Sequence, residues 1–356
     1  AITSYGGTRA SESAVRAGLR FLKRHQAPDG AWDPVSYPQH CTEVPRCEPG
    51  QGGADDAISV TSQALLAFLG AGYDQRNLDI FQPTVRRGLD WLLEQQTADG
   101  SIGSTITTHA QATSALLEAL ILADDARLRE PAQRALNRLL ARRILGSEGQ
   151  ALAWGDGERI DTDATCAALR AVCTARSSGL FVGDAIDQAK TWLFAAWQAA
   201  NPGHAAFDPD RDASVFPASW SPTTDAAGDA SEAGLHAAML LRVGERHPLT
   251  VTLTRTLAQR PASSDHQRIH HGTMGLFQVA DDTWHTWNIA TRDAAVNAQR
   301  QNMGCFDGRW DPTGERSPAH DRGRVQVTLW AVLRLEAYYA YMRNPRPPQP
   351  VPAAAP

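Results

Sequence analysis

The stretch that decides the fold is GLRFLKRHQAPDGAW, at Gly18–Trp32. Its pattern recurs at Gly88–Ile102 as GLDWLLEQQTADGSI, with Gly, Leu, an aromatic residue, Gln and Asp-Gly at the same offsets. The ending recurs again near the C-terminus, where Gln301 precedes DGRW at 307–310. A sequence unit repeated in this way predicts one supersecondary element that is used several times along the chain.

Each repeat combines an amphipathic helix with a helix that is apolar on most sides. Val15, Leu19 and Leu22 share one face of the first helix, whereas the segment from Ile58 to Leu69 is apolar almost all round. A helix of the second kind packs inside others. The alternation predicts outer helices at 11–26, 83–96, 130–143, 184–199, 248–260 and 282–299, and inner helices at 55–70, 107–123, 161–174, 228–243, 270–279 and 322–342.

Twelve helices in six pairs, with no convincing alternating strand pattern, predict an all-α fold. An open array of helix pairs needs polar capping repeats, and the last predicted helix is not followed by one. A closed ring, an (α/α)6 toroid, is therefore preferred over an open solenoid. We expect a lead-in at 1–9, one toroid domain at 10–343 and an extended Pro/Ala-rich tail at 344–356.

Charge and composition narrow the classes of partner. The chain of 356 residues has a formal net charge of −5, which argues against a nucleic-acid partner. No apolar run approaches the roughly 18–20 residues of a membrane helix, so no transmembrane segment is predicted. Among the five cysteines, Cys41 and Cys47 are close enough for a small disulfide loop or remain free, and Cys166 and Cys173 are expected to be buried thiols.

The repeat resembles the QW motif of squalene–hopene cyclases and of related prenyltransferase toroids. The resemblance implies the α/α-toroid fold over about residues 10–343. In such a repeat we expect the Gln to bond backbone groups at a helix end and the Trp to pack over the neighbouring helix. The tryptophans expected to brace the ring in this way are Trp32, Trp91, Trp154, Trp192 and Trp310.

The resemblance also implies a class of chemistry. Class II terpenoid cyclases protonate an alkene with an Asp in a DxDD segment, and this chain has Asp161 and Asp163 but Ala164 in the fourth position. Asp163 would be the general acid and Asp161 its orienting partner. The aromatic lining that stabilises cations is thin, because aromatic residues make up only 7% of the chain. A zinc-dependent prenyltransferase is a weaker alternative, since its Asp-x-Cys signature is missing.

Polar residues at the starts of the inner helices are the other candidate site residues. Brought to one mouth of the ring, they would line a shared cavity, although Asp at a helix start is also a common cap. The predicted mouth residues are Asp56, His109, Asp229, Glu232, His271, His320 and Arg324. Asp163 paired with Asp229 or Glu232 would also suit a glycoside-active enzyme, which needs two carboxylates in a cleft.

The sequence favours a binding or scaffold role over catalysis, because the brace residues are present while both catalytic signatures are broken. The expected partner is an isoprenoid or other apolar small molecule, or a protein. No cofactor is predicted, with zinc left open on a set such as His109, Asp163, His271 and His320. The motif around His271 and the DGRWDP run at 307–312 are similar to a group of bacterial repeat proteins, many of them exported, so an extracytoplasmic location is favoured.

Overall fold

The computed structural model describes residues 5–146, 152–157, 159–208, 211–260, 265–302, 304–312 and 323–340. Outer and inner helices alternate along these residues. The outer helices are α1 (Arg9–Arg24), α3 (Gln82–Glu94), α5 (Arg129–Ala141), α7 (Ala185–Ala200), α9 (Pro248–Gln259) and α11 (Asp282–Ala298). The inner helices are α2 (Ala54–Gly70), α4 (Ile106–Ala123), α6 (Thr162–Ser177), α8 (Ser231–Leu240), α10 (His266–Val279) and α12 (Gly323–Leu335), and a short α13 (Ala337–Ala340) follows.

Burial separates the two sets of helices as the periodicity predicts. In α2 every residue from Ala57 to Leu69 is buried, whereas α1 buries one face that includes Val15, Leu19 and Leu22. Each inner helix packs on the next one, and α12 packs on both α2 and α1. The inner helices therefore form a closed ring, and the predicted all-α toroid is confirmed. The predicted domain limits stay a prediction, and the tail at 344–356 lies outside the described residues.

A repeated glutamine bond ties neighbouring helix pairs together. Its side-chain amide donates to a backbone carbonyl in the first turns of the next outer helix. The three bonds run from Gln26 to Thr84 at 2.9 Å, from Gln96 to Pro131 at 3.0 Å and from Gln299 to Ala14 at 2.8 Å. The last of these joins the final outer helix to the first, so the bond that builds the ring also closes it. Gln301, predicted for this role, is exposed, so that assignment is wrong by two residues.

The tryptophans of the repeat donate hydrogen bonds to carbonyl groups near the C-terminal end of their own outer helix. The indole Nε1 of Trp32 donates to the carbonyl of Leu22 at 2.7 Å, which is one of the acceptors left unpaired at a helix C-terminus. The equivalent bonds join Trp154 to Leu139 at 2.9 Å and Trp310 to Ala295 at 2.7 Å. The rings of Trp32 and Trp310 also lie against Gly88 of α3 and Gly18 of α1, so the predicted packing over the neighbouring helix is confirmed for these two residues.

The long connection between α7 and α8 contains a hairpin that the helical pattern did not predict. Residues Ser219–Ser221 (β1) and Thr224–Ala227 (β2) form an antiparallel hairpin there. Thr162 at the start of α6 donates its backbone N–H to the Ala218 carbonyl at 2.9 Å, which seats the hairpin against the inner ring. Three and four residues are too few for a periodic signal in the sequence. No helix in the described part of the chain is long and apolar enough to cross a membrane.

Candidate functional site

A cavity of about 50 Å³ lies where the inner helices face one another. All six of them contribute to its wall, so it lies on the axis of the ring. Its lining mixes polar and apolar side chains and includes Gln63, Gln111, Cys166, His236, His271 and Trp330. At roughly 10–15 Å³ for each water, the space admits a few water molecules.

A cysteine and two histidines converge at one wall of this cavity. The Nδ1 atoms of His236 and His271 are 3.0 Å apart, and the Sγ atom of Cys166 is 3.7 Å from His271 Nδ1. The three side chains are buried, and their potential ligand atoms all lie within 4.8 Å of one another. His270 stacks beside them against Trp330, with its Nδ1 atom lacking a hydrogen-bond partner among the described residues. Side chains with this spacing suit one metal ion.

Burial keeps the groups of this cluster uncharged. Loss of hydration lowers the pKa of His271 to about 4, and lowers the pKa values of His236 and His270 well below their usual range. The same cause raises the pKa of the Cys166 thiol. The imidazole rings are therefore neutral near pH 7, and each keeps one nitrogen lone pair for a proton donor or a metal.

Asp163 lies behind His271, at the start of α6. Its Oδ1 atom is 3.8 Å from His271 Nε2, the ring nitrogen that points away from Cys166 and His236. Its side chain lines the cavity, and 49% of the side-chain surface is accessible. The protein atoms packed around it nevertheless displace much of the water that would hydrate the carboxylate. This loss of hydration raises the pKa of Asp163 to about 6, and the charges of Asp265 and Glu232 act in the same direction.

Glu232 is the second predicted mouth residue near this cluster. It is buried at the start of α8. The guanidinium group of Arg268 in α10 donates hydrogen bonds to its carboxylate through Nε and Nη2, with a shortest distance of 2.9 Å. A buried carboxylate that is held by an arginine is an ion-paired structural contact between two inner helices. The structure thus gathers three of the predicted residues, Asp163, His271 and Glu232, around the axis.

The remaining predicted residues cap helices or form ion pairs. Asp161 caps α6, accepting the Ala164 N–H at 2.8 Å, and Asp56 accepts the Gly53 N–H at 2.9 Å. Elsewhere, Asp229 pairs with Arg260 at 2.7 Å, and Arg324 pairs with Asp311 at 2.8 Å and with Glu48. The two capping contacts are the alternative that the sequence left open. His320 lies outside the described residues.

His109 is fully buried away from the cavity. Its Nδ1 accepts the Ile102 N–H at 3.1 Å, and its Nε2 donates to the Ala135 carbonyl at 3.0 Å. The second repeat has Ile102 in place of the Trp that bonds a helix carbonyl in the other repeats. His109 instead connects this repeat to α5, through its bonds to Ile102 and Ala135. Burial lowers the pKa of His109 to about 4.

We expect acid to destabilise the protein through His109. The unfolded chain binds a proton there below about pH 6.5 and the folded chain only below about pH 4, so stability falls as the pH drops through this interval, by about 3 kcal/mol. Urea unfolding at pH 7.0, 5.5 and 4.0 measures this loss. The His109→Gln variant keeps both hydrogen-bonding functions without a titrating group, and its loss should be smaller by that amount. Equal losses in both proteins would contradict the assignment.

Comparisons with known proteins place the fold. No protein-family model and no curated protein sequence matches the chain. The structure is similar to the α-1,6-mannanase of a Salegentibacter species (TM-score 0.62, 11% identity, covering 92% of this chain and 98% of that one). It is also similar to a family 76 mannosidase of Bacteroides thetaiotaomicron (0.59, 10%, 95% and 100%) and to cellobiose 2-epimerase of Bacillus thermoamylovorans (0.58, 8%, 91% and 99%). At these identities the likeness concerns the fold alone.

These structures correct the family assignment. They are sugar-active toroids and not terpenoid cyclases, so the predicted membership of the cyclase and prenyltransferase superfamily is wrong. The cavity is consistent with the correction, because an isoprenoid needs a long, aromatic-lined channel, and this one is small, with Trp330 as the one Phe, Tyr or Trp side chain among its described lining residues. The QW-like brace is a property of the ring and carries no information about substrate.

His236 is the site residue that the sequence analysis missed, and Cys166 was assigned only as a buried thiol. His236 lies four residues after the predicted mouth residue Glu232, and Cys166 lies three residues after the predicted general acid Asp163, so each shares a helix face with a predicted site residue. A search for metal-ligating side chains one helical turn after each predicted site residue would have found both of them.

Proposed function

We propose that the protein is a metal-dependent enzyme whose active centre lies on the axis of the ring, with Cys166, His236 and His271 as zinc ligands. The observation that carries this proposal is the convergence of one sulfur and two nitrogen atoms from three different inner helices at the wall of the cavity. Three protein ligands and one position left open are typical of catalytic zinc, whereas structural zinc has four protein ligands.

The observed spacings suit a tetrahedral ion. With zinc–nitrogen and zinc–sulfur bonds of about 2.1 and 2.3 Å, tetrahedral ligands are separated by about 3.3 Å for two nitrogens and about 3.6 Å for nitrogen and sulfur. The corresponding distances are 3.0 Å between the Nδ1 atoms of His236 and His271, and 3.7 Å from Cys166 to His271. Small side-chain rotations reach the ideal values.

Asp163 has the position of a group that orients a metal ligand. A histidine that binds metal through one nitrogen commonly donates its other N–H to a carboxylate, which holds the ring in place. Asp163 Oδ1 is 3.8 Å from His271 Nε2, close enough for this bond after a small rotation. In this arrangement zinc supplies Lewis-acid chemistry, and Asp163 and Glu232 keep the ligand-bearing helices in register.

The lining indicates a hydroxyl-rich substrate. The side chains of Gln111, Gln267 and Arg170 line the cavity with hydrogen-bonding groups, whereas the amide of Gln63 is already bonded to Ser59 and Gln326. The space of about 50 Å³ admits only the reactive end of a substrate, and the rest remains at the mouth. The mannanase and the cellobiose epimerase of this fold act on carbohydrates, which supports a carbohydrate over an isoprenoid. The predicted non-catalytic role is not confirmed, and an extracytoplasmic location stays a prediction.

Elemental analysis and a substrate screen test this proposal. The purified protein should contain zinc that Cys166→Ser and His271→Ala remove, while Cys173→Ser, a change in the same helix outside the cluster, keeps it. Incubation with mannotriose, maltotriose and cellobiose, followed by chromatography, should reveal a product whose formation Asp163→Asn slows about 10- to 100-fold. Unchanged zinc in Cys166→Ser, or full turnover by metal-stripped protein, would refute the proposal.

A further inference from the structure

A second group of metal-ligating side chains lies outside the central cavity, where the two ends of the ring meet. His25 ends α1, Cys41 and Cys47 follow in the α1–α2 connection, and Cys305 lies in the connection between α11 and α12. All four are buried, and every cysteine of the chain is a free thiol. His25 and Cys305 are 280 residues apart in sequence, and ring closure alone makes them neighbours.

The distances centre on Cys305. Its Sγ atom is 3.0 Å from His25 Nε2 and 3.4 Å from the Sγ atom of Cys47. The ligand atoms of His25, Cys41 and Cys305 all lie within 4.8 Å of one another. One tetrahedral zinc ion separates its sulfur and nitrogen ligands by about 3.6–3.8 Å, so modest rotations suffice to arrange these three atoms around it. Cys47 lies outside the group of three, where its Sγ atom accepts a hydrogen bond from Arg309 Nη1 at 3.2 Å, and it completes the set by turning away from Arg309.

The tautomer of His25 directs the lone pair of its Nε2 atom toward the Cys305 thiol. Its Nδ1 is 2.8 Å from the Phe21 carbonyl, which only accepts hydrogen bonds, so Nδ1 carries the proton. Nε2 is therefore unprotonated in the neutral ring, and it points at Cys305. A backbone carbonyl bonded to the distal ring N–H is the usual support of a zinc-binding histidine.

We infer that His25, Cys41, Cys47 and Cys305 bind a structural zinc ion that clips the first helix pair to the last. Three thiolates and one imidazole are a set of ligands that closed, structural zinc sites use. A disulfide between Cys47 and Cys305 would employ two of these groups and leave Cys41 and the His25 lone pair without a role. Loops connect each helix pair to the next along the chain, but no loop connects the last pair to the first. The zinc site lies at this junction, the seam of the ring, and would keep the two ends of the chain from separating there.

Alkylation of the native protein distinguishes the three states of these thiols without any variant. With zinc bound, iodoacetamide should leave Cys41, Cys47 and Cys305 unlabelled, and a chelator such as 1,10-phenanthroline should render all three reactive in tryptic mass spectra. Protection that yields to a reductant and not to the chelator would show a disulfide and overturn the inference. Full labelling before chelation, or protection that persists with both chelator and reductant because the thiols are buried, would show free thiols, with the same consequence.

Zinc stoichiometry then separates this clip from the central site. Cys305→Ser should lose one equivalent of zinc and melt at a lower temperature, whereas the Cys173→Ser control should keep the zinc content and melting temperature of the wild type. If both sites bind metal, the wild type holds two equivalents, and Cys166→Ser removes the other one. If only the clip is correct, the wild type holds one equivalent that Cys305→Ser removes and Cys166→Ser does not. Unchanged zinc in Cys305→Ser would overturn the inference.

Discussion

Replacing Trp310 by alanine is expected to lower the free energy of unfolding by about 4 kcal/mol. The side chain is 1% exposed, and its indole N–H donates to the Ala295 carbonyl at the end of α11. Its ring also packs near Gly18 of α1, across the seam between the last and first helix pairs. Alanine would leave a large cavity and an unpaired carbonyl at this point.

Urea unfolding followed by circular dichroism measures this effect. Trp91→Ala provides the matched control, because Trp91 lies half-buried on the outer helix α3 and buries less of its ring. We expect the control to lose less than half as much stability. Similar losses in the two variants would mean that closure of the seam does not depend on Trp310.

Gly308→Ala is expected to cost about 3 kcal/mol, although it adds a single methyl group. Gly308 has a φ of +87°, which disfavours any residue with a Cβ atom, and a Cβ there would lie 2.2 Å from the Ala17 carbonyl oxygen of α1. Since the contact is with backbone, no side chain can rotate away. The turn after α11 would have to move off the first helix, which opens the same seam.

Gly244→Ala is the control for this change. Gly244 is exposed, and nothing lies within 4 Å of a Cβ atom built on it. Thermal unfolding of the two variants should show a large drop for Gly308→Ala and almost none for Gly244→Ala. A small effect at Gly308 would indicate that the seam is loosely packed.

Most of the architecture could be predicted because each helix carries its own signal. The apolar stripe of α1 and the all-round apolar surface of α2 mark outer and inner positions, and each needs only a few turns of sequence. Most helix limits agree within three residues. The exceptions are α10, which begins four residues early at His266, and α12, which ends at Leu335 instead of continuing to 342. The hairpin at 219–227 escaped prediction because its strands are shorter than any periodic signal.

The family was misassigned because a structural brace was used as evidence for an activity. Gln26 and Trp32 bond carbonyls at helix ends outside the cavity. Those contacts are needed by a ring built from repeats of this kind, whatever reaction its centre performs. The side chains that line the axis come from six separate helices and have no common motif.

The sequence by itself determined the helices, their inner and outer order and the turn residues that join them, because these depend on contacts a few residues apart. Only the tertiary structure decided which polar side chains meet. Closure of the ring brings Cys305 to His25 across 280 residues and His271 to Cys166 across 105. No local pattern encodes such distances, since they arise when six helix pairs complete one turn.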